Sequence, residues 1–409
     1  THAAPTLPQV YAYGARRWAV RDLYIHAGKY LLDMRAASRG LIDNCYIYNP
    51  FTGGACLRFQ PGRTAGVPKG MGDIAFINCT AELEATAGRG GTEIIQVQQY
   101  SGSSAEDEVD PISFFGGHLN CDEMAASTVI KAIDAGWIEM NFFGTSISGW
   151  ETALLNTTGS GGSPVGTATT ILANTNFYGC NIWDELAGMD DVFILVVGAL
   201  ASARQHLTLR DCRVNFSGSP TADFLQLDID TNGQCSVTVE NCHIDNFTNM
   251  TFLHVVKGKP RVYLKGNSVS GPSTYGTYVT VDAGAPVIIN DNYPNAFAGT
   301  FAGDHRPADP GNAGAIPVNY MVAYIPLVTA AAETRTLAAP QVVGQELTLY
   351  CKTFVGNCVV TCSTTVNETG NNTITFTATG QAVRFYSVEE GSNYRWRLAA
   401  VDGAALSTV

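Results

Sequence analysis

The sequence predicts an all-β chain in two parts. A parallel β-solenoid covers residues 18–292, and a small antiparallel β-sandwich or barrel module covers 320–409. Residues 1–17 read as an N-terminal extension and 293–319 as a Pro/Gly-rich connector. Three observations carry this reading. A short motif recurs at intervals of 25–38 residues, the segments around it alternate apolar and polar residues, and both features give way to a different spacing beyond Ala283.

The motif joins an apolar residue to Asn, Asp or Gly and then to Cys or a small residue. It appears as Ile42-Asp-Asn-Cys45, Phe76-Ile-Asn-Cys79, Phe114-Phe-Gly-Gly117, Phe142-Phe-Gly-Thr145, Phe177-Tyr-Gly-Cys180, Leu209-Arg-Asp-Cys212, Val239-Glu-Asn-Cys242 and Leu264-Lys-Gly-Asn267. A helical repeat would place apolar residues at i, i+3 and i+4, which these segments do not. In Ser236–Asp245, Val237 and Val239 share one face, and Ile244 falls one residue out of phase across Asn241-Cys242. A phase change of that kind marks a bend between two strands. Further strand-like runs follow, among them Cys56–Gln60, Ile94–Gln98, Phe193–Val197, Phe224–Asp228 and Phe252–Val256.

Two or three short strands per repeat, stacked many times, describe a parallel β-solenoid. One rung cannot bury its own apolar face. Rungs stacked about 4.8 Å apart bury a continuous core and pair their backbones. Like residues then lie on like, so the motif cysteines form a column of small, buried, reduced packing residues. Asn side chains in such a column are placed to bond from rung to rung.

Between Ala283 and Val318 the pattern decays, and Pro286, Pro294, Pro307, Pro310 and Pro317 mark a connector. From Tyr320 strands return as Glu346–Cys351, Cys358–Cys362, Thr373–Thr377, Ala382–Tyr386 and Tyr394–Leu398. Turn signals at Thr369–Asn372 and Glu390–Asn393 separate them, which predicts the antiparallel module. Cys351, Cys358 and Cys362 read as strand-packing residues, with a disulfide between two of them as the alternative.

Composition narrows the function. Lys and Arg number 24 against 36 Asp and Glu, a net charge of −12, and no basic run is present. That argues against a nucleic-acid partner, which needs clustered cations. No stretch of 18 apolar residues exists, so no membrane helix is expected; the longest apolar run, Val192–Leu200, is of strand length. Eleven cysteines without a CxxC pair argue against a disulfide scaffold or structural zinc, and no cofactor is expected. The chain starts at Thr1 without Met, which reads as a processed product or a fragment.

Together these residues resemble a bacteriophage virion protein of the tailspike, fibre or capsid-decoration type. The repeats resemble a right-handed parallel β-helix. Thr334-Arg-Thr-Leu-Ala-Ala-Pro340, Gly344-Gln-Glu-Leu-Thr-Leu349, Thr373-Ile-Thr-Phe376 and Tyr394-Arg-Trp396 resemble a small β module of phage surface proteins. The resemblance implies a homotrimer on the surface of an extracellular particle. Its implied partners are other virion proteins and a host cell-surface polysaccharide. The sequence begins almost directly with solenoid-like residues at Trp18–Ile25, with no evident particle-binding domain before them. Such a domain was removed, or attachment uses another surface. The same fold serves polysaccharide hydrolases and lyases, so the fold alone does not choose.

Ligands of a β-helix bind outward-facing side chains. If Leu57, Ile95, Leu225 and Leu253 point inward, then Arg58, Gln96, Gln226 and His254 point outward and line a polar column suited to sugar hydroxyls. Every solenoid also has an outer face that simply meets solvent. For a depolymerase, Asp228 and Asp230 lie at i and i+2, about 7 Å apart by strand rise, a separation that admits an inverting pair. Asp184, Glu185, Asp190 and Asp191 form a second acidic group, expected in a loop, and Lys257 and Arg261 are candidate lyase bases. Glu106, Asp107, Glu108 and Asp110 offer hard oxygens to Ca²⁺ but lack EF-hand spacing, and read first as a solvated acidic loop. Seven N-x-S/T matches, at Asn78, Asn156, Asn215, Asn246, Asn249, Asn367 and Asn371, follow from Asn- and Thr-rich composition.

Overall fold

The computed structural model describes residues 10–26, 28–60, 71–84, 92–98, 108–121, 127–133, 137–150, 153–156, 172–184, 194–198, 204–216, 223–229, 234–246, 250–257, 259–271, 279–281, 288–290, 296–297, 309–391 and 393–408. Among these residues every regular element is a strand. The chain divides into two compact units, Thr1–Ala285 with Tyr293–Ala302, and Pro286–Asn292 with Gly303–Val409.

In the first unit the strands come in threes, beginning with Val10–Tyr13, Arg16–Arg21 and Tyr24–His26, and continuing with Tyr30–Arg35, Ser38–Asp43 and Tyr46–Tyr48. The first strand of each coil joins one sheet, the second another and the third a third, giving three sheets of ten strands. Neighbouring coils pair in parallel, as Tyr24–His26 does with Tyr46–Tyr48. This is the architecture of a parallel β-helix.

The predicted motif is the corner between the second and third sheets. It always spans two residues, from Asp22-Leu23 in coil one to Gly266-Asn267 in coil nine. Its first residue is left-handed at Asp22, Asn44, Asn78, Gly116, Gly144, Gly179, Asp211, Asn241 and Gly266, with φ between 50° and 65°. That conformation costs most L-residues about 1–2 kcal/mol, and Gly, Asn and Asp tolerate it best. The backbone ladder continues through the turn, as where Asn44 N–H donates to the Ile77 carbonyl at 2.9 Å.

The second corner residue is Cys in five coils, and these thiols do more than pack. Cys79 Sγ lies 3.5 Å from the Ile42 carbonyl of the coil before, Cys180 the same distance from Phe142, and Cys212 3.4 Å from Phe177. Cys45 and Cys242 bond alike to Val20 and Leu209. In coil nine Asn267 takes over, its Nδ2 donating to the Val239 carbonyl at 2.8 Å. Burial pushes Cys79 up to about 11, so its thiol keeps the proton it donates. All eleven cysteines are free and buried, including Cys351, Cys358 and Cys362.

Stacking also orders the core. Phe76, Phe114, Phe142 and Phe177 form one column with ring centroids 4.6, 4.8 and 4.9 Å apart and planes within 11°. This matches the strand spacing. Aliphatic Ile42, Leu209, Val239 and Leu264 continue the column at either end.

The second unit departs from the antiparallel expectation. Its sheets are mixed: Gly314–Ala315, Glu333–Leu337, Cys358–Cys362, Thr373–Phe376 and Ala405–Ser407 form one, and Val322–Val328, Glu346–Thr353, Ala382–Glu390 and Asn393–Asp402 the other. The first five strands in sequence alternate between sheets and pair in parallel; only the later pairings are antiparallel. Connections 329–332 and 354–357 are too short to return to the same sheet in parallel, which needs a dozen residues or more, so each crosses to the facing sheet. Ile325, Leu349, Phe385 and Trp396 from one sheet and Leu337, Val360, Ile374 and Phe376 from the other share one core.

A fully buried cation lies in this unit. Arg335 donates from Nε and Nη2 to the two oxygens of Asp309 at 2.7 and 2.9 Å, and from Nη2 to Glu333 at 2.7 Å. Burial opposes the charge of Asp309, but Arg335 and the N–H groups of Val328 and Gly311 outweigh it and hold the carboxyl below its ordinary value. The Ala330 N–H and Arg335 do the same for Glu333.

Phe142→Ala opens a void in the ring column and costs the first unit about 3–5 kcal/mol, read from its denaturant midpoint. In the second unit, carboxyls held below their ordinary 3.8 and 4.5 bind fewer protons folded than unfolded. The stability they supply is complete above those values and is lost as pH falls, so the midpoint drops between about pH 5 and 3. Arg335→Met flattens that dependence and, by leaving its acidic partners unpaired, costs about 3–5 kcal/mol at neutral pH.

Candidate binding faces of the coiled unit

Arg58, Gln96, Gln226 and His254 fall in one row of the first sheet. Its register runs Tyr11, Asp33, Arg58, Gln96, Lys131, Asn156, Leu195, Gln226, His254, Thr280. Leu57, Ile95, Leu225 and Leu253 are buried beside them, as the alternation requires.

The row is polar apart from Leu195, and much of it is engaged by neighbouring side chains. Arg58 holds both oxygens of Asp33, Nε at 3.0 Å, and its guanidinium lies 3.4 Å over the Tyr30 ring. Lys131 Nζ pairs with Glu93 at 2.9 Å. His254 Nδ1 lies 2.5 Å from Asp223. Gln96 is only 7% exposed, and its Oε1 has no partner among the described residues. Gln226 is half-buried and lies in register between Leu195 and His254.

The other candidates are not brought together. Asp228 ends the register of its strand, opposite Lys257, and its side chain, like that of Lys257, lies outside the described residues, as do Asp230, Glu185, Asp190 and Asp191. Asp184 is the last residue of a third-sheet strand, and Arg261 is exposed on the second sheet. Glu106 and Asp107 lie outside the described residues, but the loop expected there has already become strand at Glu108, whose backbone pairs with Trp137; Asp110 lies in the same strand. No group of three or more His, Cys, Asp or Glu among the described residues is placed to hold a metal ion.

The third sheet offers a face that the motif search passed over. Its strands of three or four residues carry a buried apolar residue at the second position: Ile25, Ile47, Ala81, Leu119, Ile147, Ile182, Val214 and Ile244. The flanking positions are polar or aromatic in every one of these coils. One row reads Tyr24, Tyr46, Thr80, His118, Ser146, Asn181, Arg213, His243; the other reads His26, Tyr48, Glu82, Asn120, Ser148, Trp183, Asn215, Asp245. The signal was present in sequence as a polar–apolar–polar triplet directly after each corner.

Within this face Tyr24 stacks on Tyr46 at 5.3 Å, and Tyr48 tilts against both. Tyr46 donates to Glu82, and burial with that carboxylate raises its phenol. His118 Nε2 lies 2.9 Å from Ser148 Oγ, which donates to Asn120 Oδ1 at 3.0 Å, and Trp183 stacks over His118 at 5.5 Å. Ser148 is fully buried, so this serine–histidine pair is a structural network and not an accessible nucleophile. Further along, Asp245 is held below its ordinary value; burial opposes this, and Ser270, His243 and Arg213 outweigh it.

No protein-family model, curated protein or solved structure matches the chain. What it can bind is therefore argued from these faces alone.

Because Arg58 neutralises a carboxylate that is 2% exposed, Arg58→Met leaves Asp33 buried and unpaired and costs about 3 kcal/mol in chemical denaturation. Gln226→Ala, at a half-buried position, stays within about 0.5 kcal/mol of the parent in the same measurement.

Proposed function

We propose that the chain is a structural protein of a virus particle's surface, a spike, fibre or capsid decoration, and that its third sheet contacts a host cell-surface polysaccharide. The reading extends the sequence resemblance to a bacteriophage tailspike, including its right-handed coil, its sandwich-like terminal module and its homotrimeric assembly. The observation that carries it is the third sheet's outer face, with two flanking rows free of aliphatic residues over eight coils and only Ser148 among them fully buried. Seven coil steps extend such a face over about 34 Å, enough for several sugar units of a linear glycan. Asn, His, Arg and carboxylate groups serve sugar hydroxyls, and Tyr and Trp rings serve the apolar faces of the sugar. Backbone bonding in every coil makes the unit stiff, as a projecting element needs to be.

The depolymerase alternative rests on Asp228 and Asp230 in the sequence, and no described geometry adds to it. The experiment is titration calorimetry against a panel of purified bacterial lipopolysaccharides and capsules, with antibody labelling of phage particles in the electron microscope. A polysaccharide that binds should bind at least about tenfold more weakly to Trp183→Ala and Tyr48→Ala, as expected for aromatic contacts. Its chain length should be unchanged after incubation. Shortened chains would replace this reading with the depolymerase. Unlabelled particles together with a silent panel would end it.

A further inference from the structure

The buried corner thiols form two unbroken runs. Cys45 and Cys79 hold the second corner position in coils two and three, and Cys180, Cys212 and Cys242 hold it in coils six, seven and eight. Leu23, Gly117, Thr145 and Asn267 hold it in the other coils from one to nine. The turn therefore accepts residues without sulfur, and its shape does not require three thiols in succession.

In the longer run each thiol is held alike. Cys180, Cys212 and Cys242 Sγ lie 3.5, 3.4 and 3.5 Å from the equivalent carbonyls of the preceding coil, those of Phe142, Phe177 and Leu209. They lie 3.7, 3.3 and 3.5 Å from Tyr178, Arg210 and Glu240, two residues back in their own coils. The strands before and after these corners pair without a register shift. The sulfurs thus repeat with the coils, about 4.8 Å apart along the axis. Cys212 has the thiols of Cys180 and Cys242 within reach on either side, and these favour its thiolate against burial, so its pKa falls while theirs rise.

That spacing selects a ligand. A bond from a thiolate to a metal ion is about 2.3 Å, so two laid end to end span about 4.6 Å. An ion midway between neighbouring sulfurs has both in line and at bonding distance. Linear coordination by two thiolates suits a soft monovalent ion such as Cu(I). Zinc takes four ligands in a tetrahedron, which sulfurs in a row do not supply; no three-ligand group is present among the described residues. The carbonyl groups that now accept the thiol protons serve a cation's charge as well. The residues before and after each of the three cysteines are exposed, so the thiols sit at the rim of the core, with a short way in.

We propose that the Cys180–Cys212–Cys242 column is a site for a soft two-coordinate metal ion of the Cu(I) class, held between Cys212 and one neighbour, and that Cys45 with Cys79 forms a second such site. Each ion takes the place of two thiol protons, which pass to solvent, and no group changes oxidation state. The inference goes beyond the particle-surface reading and does not depend on it.

The test uses Ag(I), a redox-inert probe of the same coordination, added to the full chain with imidazole in excess as a weak competitor. Bound ions are counted by native mass spectrometry, and sulfur-to-metal charge transfer is followed in the near ultraviolet. The parent is expected to retain one ion per column. Cys212→Ser loses the ion of the longer column, because Cys180 and Cys242 then stand about 9.6 Å apart, too far for one ion to bridge. Cys180→Ser and Cys242→Ser each leave a neighbouring pair and keep it. Cys79→Ser loses the other ion. Cys235→Ser, a buried thiol in register with Gln205 and Pro260, loses none. If Cys212→Ser fails to fold, the double variant Cys180→Ser/Cys242→Ser, which isolates Cys212, decides in its place. A parent that takes up no ion overturns the proposal. So does an ion count unchanged in Cys212→Ser, or lowered as much by Cys235→Ser.

Discussion

The two-residue corner between the second and third sheets is the constraint on which the coiled unit depends. It must reverse the phase of the alternation, hold a left-handed residue and still pass backbone bonds from coil to coil. Asn, Asp and Gly meet the conformational demand. The carbonyl groups around the turn then need donors, and the next coil's amides, its buried thiols or, in coil nine, the Asn267 amide supply them. Once that turn repeats in register, the ring column of Phe76, Phe114, Phe142 and Phe177 follows, because each ring is placed at the same height above the last.

Register also divides labour among the outer faces. Much of the first sheet's polar row is already paired, within the row as Arg58 with Asp33, or with carboxylates beside it as Lys131 with Glu93 and His254 with Asp223. The last position of the second-sheet strands sets the stacked Phe115, Phe143 and Tyr178 rings between paired charges, Arg21 with Asp43 and Arg210 with Glu240. The third sheet sets polar and aromatic side chains in pairs around a buried apolar residue, and all of those flanking side chains except Ser148 reach the surface at least in part. Three faces of one coil thus differ in character although the same backbone pattern builds them all.

Much of this was legible in the sequence, because the corner is a local demand written in two adjacent residues. Asn241-Cys242 shows the phase reversal, the turn residue and the thiol together. The row joining Arg58 to His254 was also legible, since alternation beside Leu57 and Leu253 fixes which neighbour faces out. The third-sheet face was missed because strands of three residues, such as His118–Asn120, are too short to display alternation by themselves. In the second unit, strand positions were readable but pairing direction was not. Val322–Val328 and Glu346–Thr353 lie side by side in parallel only because Glu333–Leu337 intervenes in the facing sheet. A linear pattern of apolar residues is the same for either partner direction. The bond of Arg335 to Asp309, 26 residues apart, leaves no local trace at all.

The fixed length of that one turn explains how repeats of 25 to 38 residues coexist in a regular stack. Differences in length fall where the chain passes between the other sheets, as between Gln60 and Gly72 or between Asn156 and Leu172. Each step along the axis stays the same whatever is inserted there. Such a scaffold separates pitch from girth: one seam runs straight and sets the height of every storey, while the remaining perimeter is at liberty to swell or shrink without disturbing the storeys above and below.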